Sequence, residues 1–157
     1  EDKIAAMGME DPQVKLLMTM PGIGYFTASM LVAEIGDINR FGNEKKLSSW
    51  AGLAPRIHQS GGTTRIGRVG QGNKRVSGLL VQCAHNARQH DPRFKRFYDR
   101  YSKRRGKGKA LVAVAHEMMR IVYFMLRDNE PYRGMNVEMT TRKLKSMKYR
   151  ASVGLRT

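Results

Sequence analysis

A chain of 157 residues is long enough for one packed domain with a core. Its 29 Lys and Arg against 13 Asp and Glu leave a formal net charge of +16 and a pI near 10.5, so the natural partner class is polyphosphate, with nucleic acid ahead of an acidic membrane surface. A single cysteine, Cys83, rules out a disulfide or zinc framework and suits a reducing compartment, and no apolar run is long enough to span a bilayer.

The pattern predicts a mainly α chain in three parts: the end of a linker helix over residues 1–10, a domain over 11–128, and a flexible basic tail over 129–157. The start at Glu1 carries neither a signal peptide nor an initiator Met, so the chain is expected to be a soluble piece of a longer one. Apolar residues recur at helical spacing from Val14 to Met20 and from Phe26 to Ile35, joined by Pro21-Gly22-Ile23-Gly24, which predicts helix, tight turn, helix over residues 13–36. Leu47, Trp50, Ala51 and Leu53 form a short apolar segment that Pro55 stops. From Arg56 to Gly72 five glycines interrupt the basic residues Arg65 and Arg68, and the expectation is an irregular loop or a weak hairpin.

Asn73 is placed to cap a helix that buries Val76, Leu79, Leu80, Cys83, Ala84 and Ala87 and ends near His90. Asp91-Pro92 then caps and opens a second helix with Phe94, Phe97, Tyr98 and Tyr101 on one face. Lys103 to Lys109 break it with glycine and like charge, and Leu111, Val114, Ala115, Met118, Ile121, Val122 and Met125 build a third apolar stripe, the most buried of the set. Beyond Arg127 no periodic apolar face is evident, hence the tail.

Two motifs can carry chemistry. The run Leu17-x-x-Met20-Pro21-Gly22-Ile23-Gly24-x-x-x-Ala28-x-x-Leu31 resembles the helix-hairpin-helix of repair and recombination proteins. Gly22 and Gly24 would let backbone N–H groups at a helix N-terminus meet a phosphate with no side chain between, which positions DNA without reading its sequence. A plain helical hairpin serving only the core is the competing reading. The second motif is Ser49-Trp50-Ala51-Gly52-Leu53-Ala54-Pro55, followed by Ser60-Gly61-Gly62, Gly67 and Gly70-Gln71-Gly72-Asn73-Lys74-Arg75. Alone, a Ser-Gly-Gly triplet reads as a turn.

Taken in order from about Leu16 to Gly134, these motifs resemble the C-terminal domain of the IS110-type (also IS116 and IS902) insertion-sequence transposases, relatives of the pilin-gene invertase. The resemblance implies a catalytic serine at Ser60, on a mainly α fold with a helix-hairpin-helix followed by a Gly-rich serine loop. It also implies an N-terminal domain of RNase H fold, outside this chain, that holds a divalent metal such as magnesium on an acidic DEDD site. Without that domain the chain would be inactive, and no metal or other cofactor is expected on its own residues. Further implications are DNA as partner, a guide RNA encoded by the element, a homo-oligomer, no membrane, and a nucleoid-associated location in a prokaryotic cytoplasm. RNA guidance is implied by the resemblance alone. The sequence departs from the family's pattern at Val76-Ser77, where Leu-Arg is more usual, so that a phosphate contact is lost or taken over by Arg75.

A serine hydroxyl attacks a phosphodiester only with help in losing its proton and with positive charge on the crowded transition state. Arg56, Arg65 and Arg68 lie near enough in sequence to supply the charge, and His58 is a candidate proton acceptor. Lys74, Arg75, Arg96, Arg104 and Arg105 are the further candidates for phosphate contact. The remaining histidines, and Glu34 and Asp37, form no metal-ligand pattern. A non-catalytic nucleic-acid-binding module, in which Ser60 merely turns the chain, is the alternative function; a ribosomal or RNA-modifying accessory protein is favoured by pI alone.

Overall fold

The computed structural model of the protein describes residues 1–60, 63–69 and 72–156, with side chains outside residues 55–71. Among them are eight α-helices and one two-stranded antiparallel ribbon: α1 (Asp2–Met9), α2 (Pro12–Leu17), α3 (Tyr25–Ile35), a short 3-10 helix (Ile38–Arg40), α4 (Glu44–Trp50), β1 (Pro55–Ser60), β2 (Thr63–Val69), α5 (Lys74–His90), α6 (Pro92–Arg105), α7 (Lys107–Asp128) and α8 (Val137–Gly154). None of these helices is long and apolar enough to cross a membrane.

The centre is α7. Its apolar stripe buries Ala110, Val114, Ala115, Met118, Met119, Val122, Tyr123, Met125 and Leu126, and α2, α4, α5 and α6 pack around it. At about 1.5 Å per residue its 22 residues form a rod of ~33 Å. It stops at Asn129, which takes the left-handed conformation (φ 51°) that closes many helices. The helices on either side of Asp91 begin and end as their sequence signals require. The Asn73 carboxamide accepts from the Arg75 and Val76 amides at the start of α5, and Asp91 Oδ1 accepts from the Arg93 and Phe94 amides at the start of α6. Cys83 is buried in α5, and burial pushes its thiol pKa up.

Asp91 does more than cap. Its other oxygen, Oδ2, accepts a 2.8 Å hydrogen bond from the Tyr132 hydroxyl, and the Tyr132 ring stacks on Phe94 at 6.0 Å. The Tyr132 amide donates to Thr19 Oγ1 at 2.9 Å, so the segment between α7 and α8 is tied both to α6 and to the end of α2. Burial and the neighbouring carboxylate push the Tyr132 phenol pKa well above its usual range, and it remains a donor at any physiological pH.

Two sequence expectations change. The flexible tail expected over residues 129–157 is not what the described residues form: α8 packs along α1, burying Thr140, Met147 and Ala151, with Leu144 partly covered. Those positions follow the 4-3-4 spacing of a helical seam, but a threonine and an alanine make it weak as a pattern, and only α1 makes it a buried face. The two helices meet closely, since a Cβ on Gly154 would lie 2.8 Å from the Asp2 backbone. Residues 1–10 likewise are not a separate linker segment, because α1 buries Ala5 and Gly8 in the same body. Of the two expectations for Arg56 to Gly72, an irregular loop or a weak hairpin, the described residues take the hairpin. Thr, Ile and Val suit extended backbone, and β1 pairs with β2 from Pro55↔Val69 to Ser60↔Thr63, with a bulge between Pro55 and Ile57. Gly61, Gly62, Gly70 and Gln71 lie outside the described residues.

Replacing Tyr132 by Phe should leave the buried Asp91 Oδ2 without its donor and lower the unfolding free energy by about 1–3 kcal/mol in urea denaturation. A variant as stable as the native chain would show the tie to be dispensable.

Candidate nucleic-acid interface

The sequence Met18-Thr19-Met20-Pro21-Gly22-Ile23-Gly24 turns the chain from α2 into α3, a helix end three residues earlier than the periodicity implied. Met18, Met20 and Ile23 point into the core with no exposed surface, so the turn is anchored from within. Its glycines have different tasks. Gly22 has φ +84°, and a Cβ there would lie 2.5 Å from the Cys83 carbonyl oxygen and 3.0 Å from the Ala87 amide nitrogen. Only glycine lets the turn sit directly on the backbone of α5. Gly24 has an ordinary extended conformation (φ −94°, ψ −178°) and nothing within 4 Å of a Cβ position. It caps α3 with no side-chain hydrogen bond, so the first amides of that helix meet no capping side chain.

Beside Gly22 and Gly24 opens a cleft of about 450 Å³, walled by Asn86 and His90 of α5 and by Asn136, Glu138, Met139, Arg142 and Lys143 of the segment that begins α8. Lys143 Nζ donates to Met18 O at 3.0 Å and to Met20 O at 2.7 Å, holding two carbonyls at the end of α2 and in the turn. Burial pulls its pKa down from 10.5 to about 8. Arg142 reaches back one helical turn to Glu138 at 2.6 Å, and both side chains are more than three-quarters exposed.

At its other end α3 supports the ribbon. Glu34 accepts from Asn73 Nδ2 at 2.9 Å and from Arg75 Nη1 at 3.3 Å. The foot of the ribbon is closed tightly: a Cβ on Gly72 would lie 2.3 Å from the Gly52 nitrogen, and the Asn73 amide donates to Trp50 O at 2.9 Å. Ser60 is the last residue of β1, paired with Thr63 at the end away from that foot. Its strand partners put it about 16 Å along the ribbon, at ~3.3 Å per residue.

The residues singled out from the sequence therefore fall into three places. Gly22 and Gly24 lie at the cleft. Lys74 and Arg75 are exposed at the ribbon foot, Arg75 already paired with Glu34, while Arg56, Arg65 and Arg68 have their backbone on the ribbon and their side chains outside the described residues, as does Ser60. Arg96 is exposed on α6, and Arg104 and Arg105 end that helix beside Lys103, one glycine away from Lys107 and Lys109 of α7. The sequence reading missed Arg142, Lys143 and Glu34. The first two sat in a segment read as tail, and the third had no partner in sequence.

Between pH 8 and 10.5 the unfolded chain keeps a proton on Lys143 that the folded chain sheds, so the contribution of this group to stability rises with pH across that window and is flat below it. The neutral amine retains two N–H donors for Met18 O and Met20 O. The difference in unfolding free energy between the native chain and Lys143→Met should therefore shift in favour of the native chain from pH 8 to 10.5. A pH-independent difference would contradict it. Gly22→Ala should cost about 3 kcal/mol, from left-handed strain plus the clash with α5, read by thermal denaturation.

Residues 14–99 match the model of the transposase IS116/IS110/IS902 family. The chain is 32% identical over 141 residues to a transposase for insertion sequence element IS1111A of Coxiella burnetii, covering 85% of this chain and 38% of that protein. Over 125 residues it is 35% identical to a pilin gene-inverting protein of Moraxella bovis, covering 76% of this chain and 38% of the relative. It is also 32% identical over 137 residues to a 43.6 kDa protein of insertion element IS110 from Streptomyces coelicolor, 84% of this chain and 33% of that one. The chain thus spans less than two fifths of the length of these curated relatives. On the family match and on these identities, the chain belongs to the IS116/IS110/IS902 family of transposases.

Proposed function

We propose that this chain is the DNA-handling, C-terminal part of a transposase that cuts and rejoins DNA, with α2 and α3 acting as a helix-hairpin-helix on the DNA backbone and Ser60 acting as the nucleophile. The observation that carries the reading is the position of Ser60, at the far end of a ribbon whose foot is locked to α3 through Glu34 and Asn73. A hydroxyl placed there reaches a phosphate outside the helical body while the body holds the duplex. Arg65 pairs with His58, two positions from Ser60, and is the ribbon arginine assigned to the pentacoordinate phosphorus, whereas Arg56 and Arg68 lie nearer the foot and are assigned to neighbouring phosphates. Lys74 at the first turn of α5, Arg96 on α6 and the Arg104-Arg105 corner extend the phosphate contacts over the outer surface.

In the reaction the Ser60 Oγ–P bond forms as one P–O bond of the DNA backbone breaks. The serine proton passes to a base, for which His58 is the nearest candidate in sequence, and the departing deoxyribose oxygen takes up a proton. The phosphoserine ester retains the energy of the broken linkage, so a deoxyribose hydroxyl of another strand can displace the serine and restore a phosphodiester. Among the described residues no three His, Cys, Asp or Glu side chains gather where a metal could sit. The divalent ion, magnesium by its affinity for carboxylates and phosphates, is assigned to an N-terminal domain of RNase H fold carrying the acidic set. The greater length of the relatives leaves room for such a domain. A homo-oligomer, an element-encoded guide RNA and a nucleoid location complete the proposal.

The test is covalent trapping: the full-length transposase, with Ser60 or with Ser60→Ala, is mixed with element-end DNA and guide RNA, and protein–DNA adducts are mapped by mass spectrometry. A phosphoserine at Ser60 that disappears in the variant is the expected result. Recombination at the native rate by Ser60→Ala would remove the nucleophile and leave the chain a DNA-binding platform.

A further inference from the structure

We propose that the cleft between the α2–α3 turn and α8 is a composite site for a backbone phosphate of duplex DNA, in which Arg142 and Lys143 of α8 act together with the amides that begin α3. This deepens the reading of α2 and α3 as a DNA contact and rests on it. The site is built from segments about 120 residues apart in sequence: Gly22 and Gly24 on one wall, Arg142 and Lys143 on the other, with Asn86 and His90 of α5 at the side. Arg142 and Lys143 also lie beyond the residues that the family model matches.

Three observations point to a phosphate. Gly24 leaves the start of α3 open to the cleft, with no Cβ in the way and no side chain capping the first amides. Lys143 spends two of its three N–H groups on Met18 O and Met20 O, and among the described residues no carboxylate pairs with its charge. Burial lowers the Lys143 pKa, and an anion in the cleft would favour its charged form. Arg142, in contrast, is exposed and held by Glu138, a carboxylate of the same cleft. Glu138 occupies the fork of Arg142 until an incoming phosphate competes for it. An open wall of backbone amides beside two long cations fits a continuous polymer of phosphodiesters, which passes through the cleft without having to be enclosed.

Single substitutions separate this site from the reading beneath it. Gly24→Asp fits the backbone, adds a favoured helix cap and places a negative charge where the phosphate would sit. Arg142→Ala and Glu138→Gln alter exposed side chains that the fold does not need. Binding of each variant of the chain to a 30-base-pair duplex of arbitrary sequence is measured by fluorescence anisotropy across a salt series, with circular dichroism melting as the folding control. The expected results are a loss of about tenfold or more for Gly24→Asp at unchanged or higher Tm, and a loss of about 3–10-fold for Arg142→Ala, with the salt slope smaller by about one. Glu138→Gln should bind about 2–5-fold more tightly, because the competing carboxylate is gone. Native affinity and salt slope in both Arg142→Ala and Glu138→Gln, alongside weak binding by Gly24→Asp, would remove α8 from the interface and leave the turn's role standing. Native binding by Gly24→Asp would overturn the turn reading and the composite site with it.

Discussion

The contact between Gly22 and the backbone of α5 sets the geometry of everything that follows. Its φ of +84° and the 2.5 Å approach of a Cβ position to the Cys83 carbonyl leave glycine as the one residue that seats the turn there. Once seated, the turn sends α3 out with Gly24 facing away from the core, and Lys143 locks the same turn from the side of α8. Gly22 is thus a packing residue, whereas Gly24, two residues later, has open space at its Cβ position.

From that seat, α3 acts as a beam. Its first residue, Tyr25, follows Gly24 of the cleft, and Glu34 lies at the foot of the ribbon, nine steps of about 1.5 Å further, or ~14 Å along the axis. Glu34 joins that far end to Asn73, which also caps α5, so one short polar network fixes the ribbon's foot relative to both helices. The contact of Gly72 with Gly52 brings the two ends of the ribbon together, as a projecting arm requires. The α2–α3 turn and the foot of the ribbon are thereby joined through α3.

The scarce carboxylates are used as ties. Glu34 holds the ribbon foot, Asp91 joins α6 to Tyr132, and Glu117, Asp128 and Glu138 pair with arginines on their own helices or helix ends. Exposed pairs of this kind contribute little to stability, roughly 0–1 kcal/mol each. Their number is small beside 29 basic residues, which leaves most of the positive field uncompensated and available for polyanion binding.

Local pattern alone determined the helices whose signals are local. The caps Asn73 and Asp91, the stripes of α5, α6 and α7, and the turn at Pro21-Gly22 follow from side chains within one or two helical turns of each other. The ordered glycines and Ser60 likewise sufficed to mark the family, because a motif is a property of sequence order. Only the tertiary structure decided that residues 137–154 are a helix, since Thr140, Leu144, Met147 and Ala151 gain a buried face from α1 and show little amphipathicity without it. The same holds for Lys143 and Glu34. A charged side chain becomes a clamp on a turn, or a tie to a ribbon, through partners more than a hundred residues away in one case and about forty in the other, and no periodicity along the chain encodes such distances.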